Sequence, residues 1–213
     1  MKIAALADTR MRKETEDKGI PSGVEWVWAD SAGELARHSD AALYFDLDFK
    51  MDNDRIGQLS RLSRPVVINS VAHTLQEIGR PFIRISAWPG FLNRPCNELA
   101  VRHKEEEQHI ARSFDELGWK YRFVADIPGM ISARILAMII NEAYYTLQDK
   151  VSSRMEIDVA MKLGTNYPYG PFEWSEKIGI GAIDELLTIL SATDSRYTVA
   201  PALKEEVERL KLS

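Results

Sequence analysis

The chain has 213 residues, 45% of them hydrophobic and 28% charged, with a formal net charge of −5 at pH 7. A chain of this length buries roughly 70% of its unfolded surface and needs no disulfide or metal staple. The acidic balance argues against nucleic acid as the main partner. The single cysteine, Cys96, excludes an internal disulfide and a cysteine-based zinc site. That usage fits a reducing cytoplasm. No apolar run approaches about 18 residues, and the N-terminus has no signal-peptide layout. The expectation is a cytoplasmic protein with no membrane partner, built as one large domain or two modest ones.

In chain order, residues 3–7 (Ile-Ala-Ala-Leu-Ala) read as a short buried strand. Pro21-Ser22-Gly23 is a turn, and residues 24–28 read as a second strand ending near Asp30. Asp30, just before Ser31, is placed to cap a helix over residues 32–38. The apolar run 41–45 is followed by Asp46 and Asp48. With no histidine or third acid nearby, these do not read as a metal site. Residues 56–62 have a helical pattern, and residues 65–68 and 82–85 read as strands. Residues 99–117 are expected to form one amphipathic helix ending at Gly118, and residues 119–124 a last strand. His73 and His103 each stand alone in helical-looking segments and read as surface or capping residues.

The stretch 126–179 carries the most information. Pro128 and Gly129 break the chain, and from Met130 the residues Ile131, Ile135, Met138, Ile139, Ala143 and Leu147 recur at helical spacing. Leu136 and Ile140 widen the stripe, which predicts a long helix of about 28 Å, buried on most sides. Asn141 and Glu142 interrupt it; an exposed edge, or an Asn tied to backbone, explains them. Ser153 and Glu156 have capping-box spacing, and Gly164 is placed to end the following helix in a left-handed turn. Tyr167-Pro168-Tyr169-Gly170-Pro171-Phe172 is a rigid connector before another helix. Ile183, Leu186, Leu187 and Leu190 line one helical face, and Leu203, Val207 and Leu210 another.

Several pieces of this stretch stand in a recognisable order: Asp126-Ile127-Pro128-Gly129, Arg134, Asn141-Glu142-Ala143, Ile157-Asp158, Ala160-Met161-Lys162-Leu163-Gly164, Tyr167-Pro168 and Gly170-Pro171-Phe172-Glu173. Together they resemble the C-terminal helical domain of the 3-hydroxyacyl-CoA dehydrogenases, and Tyr197 and Pro201 resemble that family's Tyr-x-x-x-Pro segment. The resemblance implies an α/β fold: a shortened Rossmann-like domain over residues 1–124, then an all-α domain of the 6-phosphogluconate dehydrogenase C-terminal type over 125–213. It also implies a homodimer through the C-terminal helices, which in the family supply one wall of the substrate cleft as well.

The family's chemistry resides mostly upstream, where this sequence departs from the pattern. A Gly-x-Gly-x-x-Gly turn for NAD is implied after the first strand, and here its glycine positions are Ala7, Thr9 and Arg12. Side chains there crowd the pyrophosphate and the helix–strand contact, and Asp8 adds negative charge. NAD binding in the ordinary mode is therefore expected to be weak or lost. The candidate cofactor contacts are Thr9, Arg10 and Asp30, the last either as the ribose-binding acid or as the helix cap. Arg10, Arg12 and Lys13 either hold a phosphate by side chains or form a solvated face. The helical excursion that follows the second strand in the family, and helps hold coenzyme A, has no room here.

Asn69-Ser70-Val71 resembles the family's Asn-Thr-Ser segment, which makes Asn69 and Ser70 the candidate substrate contacts. Ser86 stands at the position of the catalytic histidine, while Glu98 stands at that of the glutamate that orients it. Ala133 replaces a substrate-contacting asparagine. Serine holds its proton too tightly to act as the base, and losing a general base costs about 10²–10⁴ in rate. Two readings follow. One is a non-catalytic relative that binds acyl-CoA or another small ligand or a partner. The other is an NAD-linked oxidoreductase, with Glu98 and Ser86 as its candidate catalytic residues; a different reaction in the same cleft, using Glu98 with Ser70 or Ser86, is the remaining alternative.

Overall fold

The computed structural model describes residues 1–212 and divides into two compact units, Met1–Met130 and Ile131–Ser213. The first unit alternates strand and helix. Its elements are β1 (Lys2–Leu6), α1 (Thr9–Lys18), β2 (Glu25–Ala29), α2 (Ala32–Leu35), β3 (Leu43–Asp46), α3 (Asn53–Leu59), β4 (Val66–Asn69), α4 (Leu75–Ile78), β5 (Ile83–Ile85), β6 (Asn97–Ala100), α5 (Glu107–Leu117) and β7 (Tyr121–Phe123). Among the described residues they form a seven-stranded sheet in the order β2-β1-β3-β4-β5-β6-β7. The strands β1–β5 are parallel; β6 runs antiparallel to β5, and β7 follows β6.

Both faces of the sheet are covered. Side chains alternate across each strand, so Ile3, Ala5, Leu43, Phe45 and Val67 join α1 and α5 residues in one core. Ala4, Leu6, Tyr44, Val66 and Ile68 join α2, α3 and α4 residues in the other. This double burial is what makes the strands read as unbroken apolar runs. Because β1 lies between β2 and β3, the order of strand addition reverses at β1, and in a sheet of this kind the carboxyl ends of β1 and β3 are the ligand-binding edge. The fold is Rossmann-like and short: one turn of helix, α2, separates β2 from β3.

The expected helix over 99–117 is wrong at its start. Residues 97–100 form β6, fully buried between β5 and β7, and the helix begins only at Glu107. The tertiary slot, two strands short of hydrogen bonds, outweighs the local helical pattern.

The second unit is helical: α6 (Ser132–Gln148), α7 (Arg154–Thr165), α8 (Pro171–Ile178), α9 (Ile180–Ser191) and α10 (Pro201–Lys211). The capping box at α7 forms, with the Ser153 hydroxyl accepting from the Glu156 N–H and the Glu156 carboxylate accepting from the Ser153 N–H. α7 runs past Gly164; Asn166, at φ 55°, takes the left-handed cap instead. Asn141 ties α6 to a remote loop, donating to the Thr198 carbonyl at 2.9 Å and accepting from the Ala200 N–H at 2.8 Å.

The Asp158 and Gly170 positions of the motif have a shared physical cause. Asp158, nearly buried on α7, accepts the Phe172 N–H at 2.8 Å and the Glu173 N–H at 3.3 Å, satisfying the first turn of α8. A Cβ on Gly170 would lie 2.2 Å from an Asp158 carboxylate oxygen, so only glycine fits. Lys162 pairs with Glu173 beside it.

Candidate functional site

At the carboxyl end of β1 a side chain reaches across to β2. Arg12 donates from Nε to the Ala7 carbonyl at 3.0 Å, and from a terminal nitrogen to the Ala29 carbonyl at 3.0 Å and the Asp30 carboxylate at 2.7 Å. Its guanidinium lies over Trp28, 5.3 Å from the ring centre. One arginine thus bridges the ends of β1 and β2, where an adenosine would lie in an ordinary dinucleotide fold. Asp30 is the acid of that ion pair. It is not the helix cap: Ser31 caps α2 by accepting from Glu34, because it is one residue closer to the first turn.

The N-terminus of α1 is likewise occupied. The Asp8 carboxylate accepts the Met11 N–H at 2.7 Å, placing a negative charge at the position favoured by a phosphate. Thr9 is exposed as the first residue of α1. Arg10, also exposed, approaches Glu14 at 3.9 Å. Glu14 is buried and grips the Gly90 N–H with both carboxylate oxygens, at 2.7 and 2.9 Å.

Ser86 and Glu98 meet across β5 and β6. The Ser86 N–H donates to the Glu98 carbonyl at 3.1 Å. The register, Arg84 opposite Ala100 and Ile85 opposite Leu99, makes Ser86 the direct partner of Glu98, so their side chains share a face. Both are buried, and the Ser86 hydroxyl has no hydrogen-bond partner among the described residues.

Asn69 and Ser70 are committed to the backbone. Asn69 donates to the Leu47 and Ala87 carbonyls at 3.2 and 2.9 Å and accepts the Ala87 N–H at 3.1 Å, lacing the ends of β3, β4 and β5 together. The Ser70 hydroxyl donates to the His73 carbonyl at 2.9 Å. Asp46 is fully buried at the end of β3 in a two-point pair with Arg55, at 2.6 and 2.7 Å. Burial pushes its carboxyl above the ordinary value, and Arg55 opposes that push. No cluster of three or more potential metal ligands occurs among the described residues.

Sequence reasoning missed Arg84. It is 0% exposed, donates to the Ser70 and Val71 carbonyls at 2.8 and 2.9 Å, and pairs with Asp126. Asp126 also accepts the Leu75 N–H at 2.9 Å, so the pair pins the loop after β4 to residues 126–127. Burial pulls the Arg84 guanidinium below its ordinary value, and Asp126 counters this. The signal was present: an arginine inside an otherwise apolar strand requires an acid from elsewhere.

In the helical unit, α6 and α7 border an open groove of about 520 Å³ lined by Ile135, Met138, Ile139, Ile157 and Met161, with Arg134 and Glu142 among the polar groups. On the same two helices Ile135, Met155, Val159 and Leu163 are exposed, Leu163 at 84%, as is Ile131 just before α6. No helix among the described residues is long and apolar enough to cross a membrane.

The family model described as "3-hydroxyacyl-CoA dehydrogenase, C-terminal domain" matches residues 129–213. The 3-hydroxyadipyl-CoA dehydrogenase of Escherichia coli (strain K12) is 53% identical over 84 residues, 38% of this chain and 18% of that protein. The 3-hydroxybutyryl-CoA dehydrogenase of Bradyrhizobium diazoefficiens is 39% identical over 95 residues, 44% of this chain and 32% of that protein. The matched region thus spans a third or less of these curated relatives. The crystal structure of (S)-3-hydroxybutyryl-CoA dehydrogenase from Ralstonia eutropha superimposes with a TM-score of 0.75 at 16% identity, covering 98% of this chain and 93% of that one. At that identity the likeness concerns the fold alone.

Proposed function

Given that residues 129–213 place the chain in the 3-hydroxyacyl-CoA dehydrogenase family, we propose that it is a non-catalytic, dimeric relative that binds acyl-CoA or a similar small ligand without the family's ordinary NAD-linked chemistry. The observation that carries this reading is Arg12. Its guanidinium already satisfies Ala7, Ala29 and Asp30, the groups that a dinucleotide would approach. With Asp8 on the α1 N-terminus, the residues present do not fit NAD seated in the ordinary way. Ser86 supports the same reading, since a buried hydroxyl at a strand end supplies no base near neutral pH. Asn69 and Ser70 have spent their polar atoms on the backbone.

The apolar face of α6 and α7 supports a second copy of this chain as its cover. Exposed aliphatic residues in this number mark an interface.

A second reading keeps an oxidoreductase with NAD(P) and a rearranged site acting on a 3-hydroxyacyl-CoA or related hydroxy acid. What favours it is the survival of Glu98 on the same face as the unpartnered Ser86 hydroxyl. A titration separates the two. NADH, NADPH and acetoacetyl-CoA are each added to the protein while the fluorescence of its 5 tryptophans is followed. Acetoacetyl-CoA quenching without nicotinamide binding supports the first reading; NADH oxidation with acetoacetyl-CoA replaces it with the second.

A further inference from the structure

We propose that the cavity where Lys18, Arg94 and Lys120 converge is a binding site for a phosphate-sized oxyanion, free or as the end group of a small ester. The cavity measures about 500 Å³ and is lined by Asp17 and Lys18 from the end of α1, Asn93 to Pro95 from the loop before β6, and Trp119 and Lys120 from the turn before β7. That volume is within the range of about 300–1,000 Å³ typical of small-molecule sites.

The cations are held together by the fold. Lys18 Nζ donates to the Leu92 and Arg94 carbonyls at 2.6 and 3.1 Å and lies over the Trp119 ring at 5.2 Å. Two of its three donors are spent, and one remains. The Arg94 guanidinium stacks on Phe91, 3.8 Å from the ring centre, and its Nε donates to the Phe91 carbonyl at 3.3 Å. One terminal nitrogen of Arg94 is buried with no hydrogen-bond partner among the described residues.

No carboxylate among the described residues lies within 4.0 Å of Lys18, Arg94 or Lys120 to form an ion pair. Burial, then the positive charge of Arg94, draws the Lys18 ammonium below its ordinary value; burial does the same to Arg94, and the Glu98 carboxylate partly opposes it. Two half-buried cations brought together cost free energy, and an anion relieves both the repulsion and the burial. The remaining guanidinium nitrogen beside the ammonium groups supplies charge-assisted donors to a phosphate. Asp17 at the rim leaves the lining net positive. The site lies at the opposite end of α1 from Thr9, roughly 14 Å along the helix, so it is separate from the nucleotide position.

The test uses the full chain labelled with ¹⁵N. The Trp119 indole N–H, which donates to the Gly19 carbonyl at 3.1 Å, is the reporter. Inorganic phosphate, glycerol phosphate, acetate and chloride are titrated at constant ionic strength. Phosphate or its ester is expected to give a saturating shift in the low-millimolar range, with chloride giving none. Tighter binding of glycerol phosphate assigns an ester, and the reverse assigns the free ion. Arg94→Gln and Lys18→Gln should each weaken binding at least tenfold, and Lys120→Gln, at the exposed mouth where folding is not at stake, about threefold. No saturating shift, acetate binding as tight as phosphate, or unchanged affinity in Lys120→Gln together with Arg94→Lys would overturn the proposal.

Discussion

Arg12 and Asp30 are paired at 2.7 Å across the carboxyl ends of β1 and β2, with the same guanidinium nitrogen also donating to the Ala29 carbonyl. Asp30, a candidate cofactor contact, faces Arg12 instead. This suggests the most direct test of the nucleotide reading. Thr9→Gly combined with Arg12→Gly removes the bridging side chain and restores two glycines of the phosphate turn. NADH affinity, read from nicotinamide fluorescence, should rise by about tenfold or more over the parent chain. An unchanged affinity would mean that something other than the arginine excludes the dinucleotide.

The Arg84–Asp126 pair makes a stability prediction. Asp126→Asn leaves a fully buried guanidinium without its counter-charge. Breaking a buried pair from one side costs about 3–5 kcal/mol. Urea denaturation should show a loss of that order, and a loss below about 1 kcal/mol would reassign Arg84 to its carbonyl partners alone.

Gly170 and Asp158 should be coupled. Gly170→Ala drives a methyl group into the Asp158 carboxylate, and Asp158→Ala removes the cap of α8. Each alone should destabilise by about 1–3 kcal/mol. Together they should cost less than the sum, because the alanine at 170 then meets no carboxylate. Additive losses in a double-mutant cycle would contradict the contact.

Sedimentation tests the dimer. Leu163, 84% exposed on α7, and Ile135, on α6, belong to the apolar face. The parent chain is expected to sediment as a dimer, and Ile135→Lys with Leu163→Asp as a folded monomer. A monomeric parent at tens of micromolar would remove the dimer from the proposed function.

Acid sensitivity should be traceable to two helix caps. The Glu156 carboxyl is held below its ordinary value of 4.5 chiefly by the Ser152 hydroxyl, then by the Ser153 backbone and hydroxyl. Glu173 is held below 4.5 chiefly by Lys162, then by the Gly170 N–H. A lowered folded value means that the stabilisation is present above the unfolded value and fades as pH falls through the folded one. Thermal stability should drop as pH is taken below about 4.5, and Glu156→Gln with Glu173→Gln should flatten that part of the curve. An identical pH profile in the double variant would locate the acid sensitivity elsewhere.

The helical unit was the most legible part of the chain. Its caps and stripes involve partners a few residues apart: Ser153 with Glu156, or Ile183 with Leu186 and Leu187 on the buried side of α9. Such contacts are set by helical geometry alone, so their spacing survives in the sequence. The parallel strands were legible for a related reason, since burial on both faces writes an apolar run.

What the sequence by itself determined, then, was the class of fold, the capping box of Ser153 and Glu156 and the absence of the three phosphate-turn glycines. Tertiary structure alone decided that residues 97–100 are a strand, that Arg84 meets Asp126 from 42 residues away, and that Arg12 turns back over Ala7 to reach Asp30. The physical reason is range. A capping or periodic signal is complete within one or two turns of chain, whereas a buried charge selects its partner only after the sheet order has brought distant segments together, and no local pattern encodes that order.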